Sequence, residues 1–163
     1  QFMHRDGDWM RWLVLSDVHG QVGALERVLE LHPTADVIFL GDGLREVEDA
    51  ADRYPNRRFI LVPGNCDWSS RLPATRVELL GGKRFFITHG HKYGVKYDLY
   101  SLQLAAKERQ ADVVLFGHTH TPYEVYEDGM YFLNPGSLGY GESYGYVDIT
   151  PAGILTGTAR LPR

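Results

Sequence analysis

The sequence predicts an α/β fold, two packed mixed sheets with helices on the outside. Three observations carry that expectation. From Trp12 to Val62, short apolar runs alternate with stretches of helical spacing. From Thr75 onward, strand-like segments dominate, with a single helical stretch between them. Each apolar run of the first kind ends in a Gly-bearing loop that also holds an Asp, Asn or His.

Trp12-Leu13-Val14-Leu15 is suited to a buried strand and runs into Ser16-Asp17-Val18-His19-Gly20. Val22, Leu25, Val28 and Leu29 then fall at helical spacing, which predicts a helix over about residues 21–32, ended by Pro33. His32 stands at its end, where a partly charged imidazole is favoured and no function is required. Asp36 to Leu40 reads as a second buried strand and leads into Gly41-Asp42-Gly43. A short polar helix is expected at 45–53, then a strand at Arg58 to Val62 ending in Pro63-Gly64-Asn65-Cys66-Asp67. This β-α-β-α-β order implies a parallel sheet with right-handed crossovers. Ligands in such sheets sit at the carboxyl ends of the strands.

Thr75 to Leu80 and Arg84 to Thr88 form a predicted hairpin around Gly81-Gly82, followed by Thr88-His89-Gly90-His91. Asp98 is placed to cap a helix at about 99–110, with Leu99, Leu102 and Ala105 or Ala106 inward. Asp112 to Phe116 is another apolar strand and enters Gly117-His118-Thr119-His120. Strands are expected at Tyr123 to Glu127, Met130 to Leu133, Tyr144 to Ile149 and Ile154 to Arg160. Asn134-Pro135-Gly136-Ser137 interrupts them as a tight loop at the rim of a site. No repeat, linker or low-complexity tract breaks the chain, so residues 10–163 are expected to form a single domain. Residues 1–9 show no periodicity and read as an appended remnant or an alternative start, with Met10 as first residue.

With 163 residues, 44% of them hydrophobic, the chain can bury a substantial core. A net charge of -4 gives no basic stripe, so strong general binding of nucleic acid is not expected. No apolar stretch reaches the length of a membrane span, and the first residues are polar rather than signal-like. The single cysteine fits a reducing compartment, and a cytoplasmic location is expected.

Five loops, each after a predicted strand, carry metal-capable groups: Asp17 and His19, Asp42, Asn65, His89, then His118 and His120. Each group alone is an ordinary turn residue. Together they exceed the needs of one ion and suit two ions sharing a ligand. Mixed N/O donors favour Mn, Fe, Ni, Co or Zn, with Mn first. The lack of thiolate ligands argues against a structural zinc site. Asp42, flanked by glycines, is the natural bridging carboxylate.

Asp17-x-His19, Gly41-Asp42, Gly64-Asn65, His89 and Gly117-His118-x-His120, in that order, resemble the calcineurin-like metallophosphoesterase superfamily. The resemblance runs from about Met10 to Ser137. The small size, Gly64-Asn65-Cys66-Asp67 and Asn134-Pro135-Gly136-Ser137 are similar to its compact prokaryotic phosphodiesterase branch. The resemblance implies a four-layer α-β-β-α sandwich. It also implies one metal on Asp17, His19, Asp42 and His120, and a second on Asp42, Asn65, His89 and His118.

Two such cations, about 3.5–4 Å apart, can acidify a shared water and bind phosphoryl oxygens. The expected reaction is attack of the resulting hydroxide on a small phosphoester, with Asp42, Asn65, His91 and Asp67 as the catalytic groups. Cys66 stands where many members of the superfamily carry His, and His91 is the imidazole expected to take that place. Tyr93, Tyr97, Tyr100, Tyr140 and Tyr144 are expected around the rim, stacking on an aromatic substrate or forming a subunit contact in a homo-oligomer. Two other functions fit the same motifs. One is a catalytically weak interaction scaffold, as in the small retromer subunit that resembles this branch. The other is a phosphomonoesterase, for which Arg45 and Arg71 are the nearest candidate clamps.

Overall fold

A computed structural model describes residues 9–163. The expectation for the opening segment covers residues 1–9, of which 1–8 lie outside the described residues.

The first sheet holds strands in the order β10-β9-β1-β2-β3. Its parallel half is β1 (Met10–Leu15), β2 (Asp36–Phe39) and β3 (Phe59–Leu61). Helices α1 (Val22–Leu31) and α2 (Leu44–Arg53) form the two crossovers. The chain returns at its end to add β9 (Ser143–Thr150) and β10 (Gly153–Arg160), antiparallel, beside β1. The second sheet has the order β4-β5-β6-β8-β7. It comprises the hairpin β4 (Thr75–Leu80) and β5 (Lys83–Thr88), then β6 (Val113–Leu115), β7 (Tyr123–Glu127) and β8 (Met130–Asn134). Strands β5, β6 and β8 are parallel, and α3 (Tyr100–Glu108) links β5 to β6.

Burial assigns the layers. On β1, Leu13 and Leu15 pack against Leu25, Val28 and Val47 of the two helices. Trp12 and Val14 point the other way, into a cluster with Phe85, Ile87, Val113 and Leu115 of the second sheet. The period of two along a strand sends alternate residues to opposite faces, so an unbroken apolar run means burial on both. The far face of the second sheet, with Phe86, Val114 and Phe132, is covered by Leu102 and Ala106 of α3. The result is the expected α-β-β-α order of layers, with two five-stranded mixed sheets.

Four features differ from the sequence reading. A one-turn helix, α4 (Leu138–Gly141), follows Ser137, whose hydroxyl caps it by accepting the Tyr140 N–H. Asn134-Pro135-Gly136-Ser137 is not a rim: all four residues are buried. Asn134 donates to the Gly117 carbonyl at 3.2 Å and to the Thr119 hydroxyl at 2.9 Å. A short turn rich in Pro and Gly reads as surface, but the Asn134 and Ser137 side chains, the Gly136 N–H and the Pro135 carbonyl are all bonded internally, which favours burial. The five tyrosines also do not gather. Tyr144 is buried against His32, Tyr93 packs edge-on to Phe86, and Tyr97 and Tyr100 are exposed. Only Tyr140, among these five, stacks on a candidate ligand. Finally, His32 is not favoured as a cation. Burial lowers its pKa, and Arg11 and Arg57 add to that effect. The Tyr144 hydroxyl lies 3.1 Å from its Nε2.

No helix among the described residues is long and apolar enough to cross a membrane.

Candidate metal centre

The loops after β1, β2, β5 and β6 meet at one end of the sandwich. The first two are joined by their backbones: the Asp17 N–H bonds the Gly41 carbonyl and the Val18 N–H the Asp42 carbonyl, each at 2.9 Å. His89, at the end of β5, reaches across from the other sheet. Its Nδ1 donates to the Leu40 carbonyl at 2.7 Å, because a carbonyl can only accept. That bond leaves Nε2 pointing at both carboxylates, 3.4 Å from Asp42 and 3.8 Å from Asp17.

Asp17 lies at the centre. Its Oδ1 is 3.3 Å from His19 Nε2 and 3.2 Å from His120 Nε2. Its Oδ2 accepts the Ser16 hydroxyl at 2.6 Å and the His118 N–H at 3.3 Å. Among the described residues, two groups offer ligand atoms that all lie within 4.8 Å of one another: Asp17 with His19 and His120, and Asp17 with Asp42 and His89. The carboxylate common to these two groups is Asp17. Asp42 Oδ2 nevertheless lies 3.9 Å from His19 as well as 3.4 Å from His89, so it too faces both sets.

The expected donors are therefore not all equally close. Asp17, His19, Asp42, His89 and His120 converge. His118 stands beside them, its ring 5.0 Å from that of His89. Asn65 is exposed, and its amide contacts the Cys66 sulfur at 3.7 Å. His91 sits behind His89 and His118, with ring separations of 5.5 and 6.1 Å, and its Nδ1 is buried without a hydrogen-bond partner. Asp67 is occupied entirely by backbone. Oδ2 accepts the N–H of Asp42 at 2.7 Å and of Gly64 at 2.8 Å, and Oδ1 accepts those of Gly43 and Leu44 at 3.2 and 3.1 Å.

Sequence reasoning placed Tyr140 and Ser137 near the site but not the contacts by which they support it. Tyr140 stacks on His19 with ring centroids 4.8 Å apart and planes 16° from parallel. Ser137 donates its hydroxyl to the Asp17 carbonyl at 2.8 Å. Asp17, His19, Asp42, His118 and His120 all have φ between 47° and 70°, the left-handed region that non-glycine residues avoid. Strain of this kind persists only where surrounding bonds over-determine the backbone, and it gathers at functional sites. Close packing adds to it: a Cβ on Gly64 would fall 2.1 Å from Asp42 Oδ1.

The electrostatics suit a cation. Burial alone would raise the Asp42 carboxyl, but the His89 imidazole facing it, and the Cys66 N–H, hold it well below its ordinary value. Burial alone would lower His89; Asp42 and Asp17 outweigh that and raise it. Burial, then the neighbouring His89 and Lys96, push His118 down to about 4, so it is a neutral donor at pH 7. Burial and the carboxylates of Asp42 and Asp67 raise the Cys66 thiol, which keeps it uncharged and a poor nucleophile. Two buried carboxylates and the unpartnered buried Nε2 of His89 fit a divalent metal in chemistry and in orientation.

A strand-tip site of Asp and His between two mixed sheets defines a class, the metal-dependent phosphoesterases. Residues 10–150 match the calcineurin-like phosphoesterase superfamily domain, and the chain belongs to that family. It is 31% identical over 130 residues to the probable metallophosphoesterase YsnB of Bacillus subtilis, covering 79% of this chain and 75% of that one. It is 32% identical over 168 residues to the phosphodiesterase YfcE of Escherichia coli, covering 85% and 88%. A crystal structure of a predicted phosphoesterase from Streptococcus pneumoniae superposes with a TM-score of 0.75 at 24% identity, covering 93% and 98% of the two chains. Vacuolar protein sorting 29 from Cryptosporidium parvum shares the fold as well, with a TM-score of 0.74 at 18% identity over 93% and 97%.

Proposed function

We propose that this chain is a divalent-metal-dependent phosphodiesterase acting on a small phosphoester. One observation carries the reading: His89 Nε2, buried and unpartnered, is aimed at the buried carboxylates of Asp17 and Asp42. Similarity to the phosphodiesterase YfcE supports the same choice.

In this reading Asp17, His19, Asp42, His89 and His120 would hold two ions, manganese before the other borderline metals, with His118 and Asn65 as the further ligands. Bound cations supply Lewis-acid charge and an acidified water. The chain's own residues do the rest. The Leu40 carbonyl fixes the His89 tautomer, and Tyr140 holds the His19 ring by stacking. Asp67 anchors the Asp42 loop and is a positioning residue. Burial, then the charge of His89, lowers His91, so the neutral imidazole can offer an N–H to a phosphoryl oxygen. Water adds to phosphorus and gives up a proton to solvent, one P–O ester bond breaks, and the departing alkoxide takes a proton from solvent. We further propose that residues 10–163 act as one catalytic domain in the cytoplasm.

The test is turnover of bis(p-nitrophenyl) phosphate by chelator-treated protein, before and after Mn is restored. Restoration by metal supports the reading; no turnover with Mn, Ni, Co or Fe overturns it in favour of an interaction scaffold. That second reading draws on the likeness to vacuolar protein sorting 29, which is 40% identical over 78 residues in the Schizosaccharomyces pombe protein. Faster turnover of p-nitrophenyl phosphate than of the diester would instead favour a monoesterase.

A further inference from the structure

Beside the metal centre lies a cleft of about 800 Å³, lined by Arg45, Glu46, Glu48, Trp68 and Arg71 among others. Its wall includes Cys66 and Asp67, the residues whose bonds seat Asp42. The cleft therefore adjoins the two loops that carry Asp42 and Asn65. Its size lies within the range of small-ligand pockets, roughly 300–1,000 Å³. Apart from Asp67, which positions Asp42, the proposed reaction at phosphorus uses none of its lining.

Two features of the lining say what it takes. Trp68 is 89% exposed, on the same loop that carries Asn65. No ring or cation of the described residues covers its indole. An indole left open to water is available for stacking on a flat ring. Around it, Arg45, Arg71, Glu46 and Glu48 make no side-chain hydrogen bond or ion pair among the described residues. Two arginines and two glutamates of the lining thus offer free donors and acceptors, while Asp67, its third carboxylate, is taken up by backbone N–H groups. A second phosphate would meet both glutamates. A flat heterocycle with donors and acceptors on its edge satisfies both kinds of group.

We propose that this cleft binds one organic arm of the diester, and that the arm is a nucleoside-type heterocycle stacked on Trp68. The inference rests on the phosphodiesterase reading for its place beside the reacting phosphorus. It adds a substrate class and a specificity-determining residue.

Two esters with the same leaving group test it: thymidine 5′-(p-nitrophenyl phosphate) and ethyl p-nitrophenyl phosphate, with Mn-saturated protein. The wild type should favour the nucleoside ester in kcat/KM. Trp68→Ala should cut that preference about tenfold, mainly through KM, as expected for loss of one base–aromatic stack. Arg71→Ala should reduce it as well. Equal kcat/KM for the two esters in the wild type, or a preference that survives Trp68→Ala, would overturn the proposal and leave the phosphodiesterase reading standing. Calorimetric titration with thymidine 5′-monophosphate gives an arm that needs no turnover. If neither ester is hydrolysed, the phosphodiesterase reading fails and the titration decides the cleft alone. A Kd about tenfold weaker in Trp68→Ala supports the stack, and an unchanged Kd rejects it. Trp68 is surface-exposed, and a circular dichroism spectrum matching wild type confirms that the variant folds.

Discussion

The Asp67 carboxylate accepts the backbone N–H of Asp42 at 2.7 Å, and so one acidic residue sets the position of another. Its second oxygen takes the Gly43 and Leu44 amides that open α2. Removing it leaves buried donors unsatisfied. Asp67→Ala is expected to cost about 1–3 kcal/mol in urea denaturation of the metal-free protein. Mn affinity should fall roughly 10–100-fold, the usual effect of losing a group that orients a ligand. Calorimetry that shows wild-type Mn affinity in the variant would remove Asp67 from the site.

His91 is assigned an N–H contact to the phosphoryl group. Loss of a hydrogen bond to a charged oxygen, about 1.5–3 kcal/mol, corresponds to a drop of roughly ten- to a hundredfold in kcat/KM for a diester. His91→Ala, assayed at saturating metal, checks this, and unchanged turnover with correct folding would limit His91 to packing. Because the role is contact and not proton donation, the loss should be similar for nitrophenyl and alkyl leaving groups.

Metal binding should release a proton. Asp42 and Asp17 outweigh burial and raise the pKa of His89, so the metal-free centre keeps a proton on Nε2 to higher pH than an ordinary imidazole, in the place a cation would take. Occupation by a metal requires that nitrogen neutral. Affinity for Mn is therefore expected to weaken as pH falls. Titrations in buffers of different ionisation enthalpy should report proton release, and a pH-independent affinity with no release contradicts the arrangement.

His32 gives a pH dependence of stability far from the metals. Burial, with Arg11 and Arg57, lowers its folded pKa below 6.5, while Asp148 acts weakly in the other direction. The folded state thus binds fewer protons than the unfolded chain. Its contribution is complete above about pH 6.5 and is lost as pH drops through the folded value. Urea midpoints measured from about pH 7.5 down to 5.5 should decline more steeply for wild type than for His32→Gln, which keeps a polar partner for Tyr144 without titrating. Parallel slopes would show that His32 is not the linked group.

Much of this protein is written locally. The run from Trp12 to Leu15 is apolar at every position, and only a strand buried on both faces uses such a run. Val22, Leu25, Val28 and Leu29 mark the buried stripe of α1. The convergence of Asp17, His19, Asp42, His89 and His120 was legible because each follows a strand, and parallel strands end on one side. The loops that join them are fixed by backbone bonds between residues close to the motifs.

What the tertiary structure decided lies in contacts over long sequence separations. That Asp17 is common to both ligand groups, that Asp67 serves amides of a loop 25 residues away, and that Asn134-Pro135-Gly136-Ser137 is buried all depend on which loop lands on which. Hydrophobic periodicity reports the face a residue buries, and it carries no record of the partner across a loop. The open cleft at Trp68 is likewise invisible in sequence, since an exposed indole and a core indole are spelled the same way. The succession of strands and helices and the type of ligand came from the chain itself; the order of strands in each sheet, the pairing of ligands and the shape beside them came from packing, where distances of a few ångströms set the chemistry.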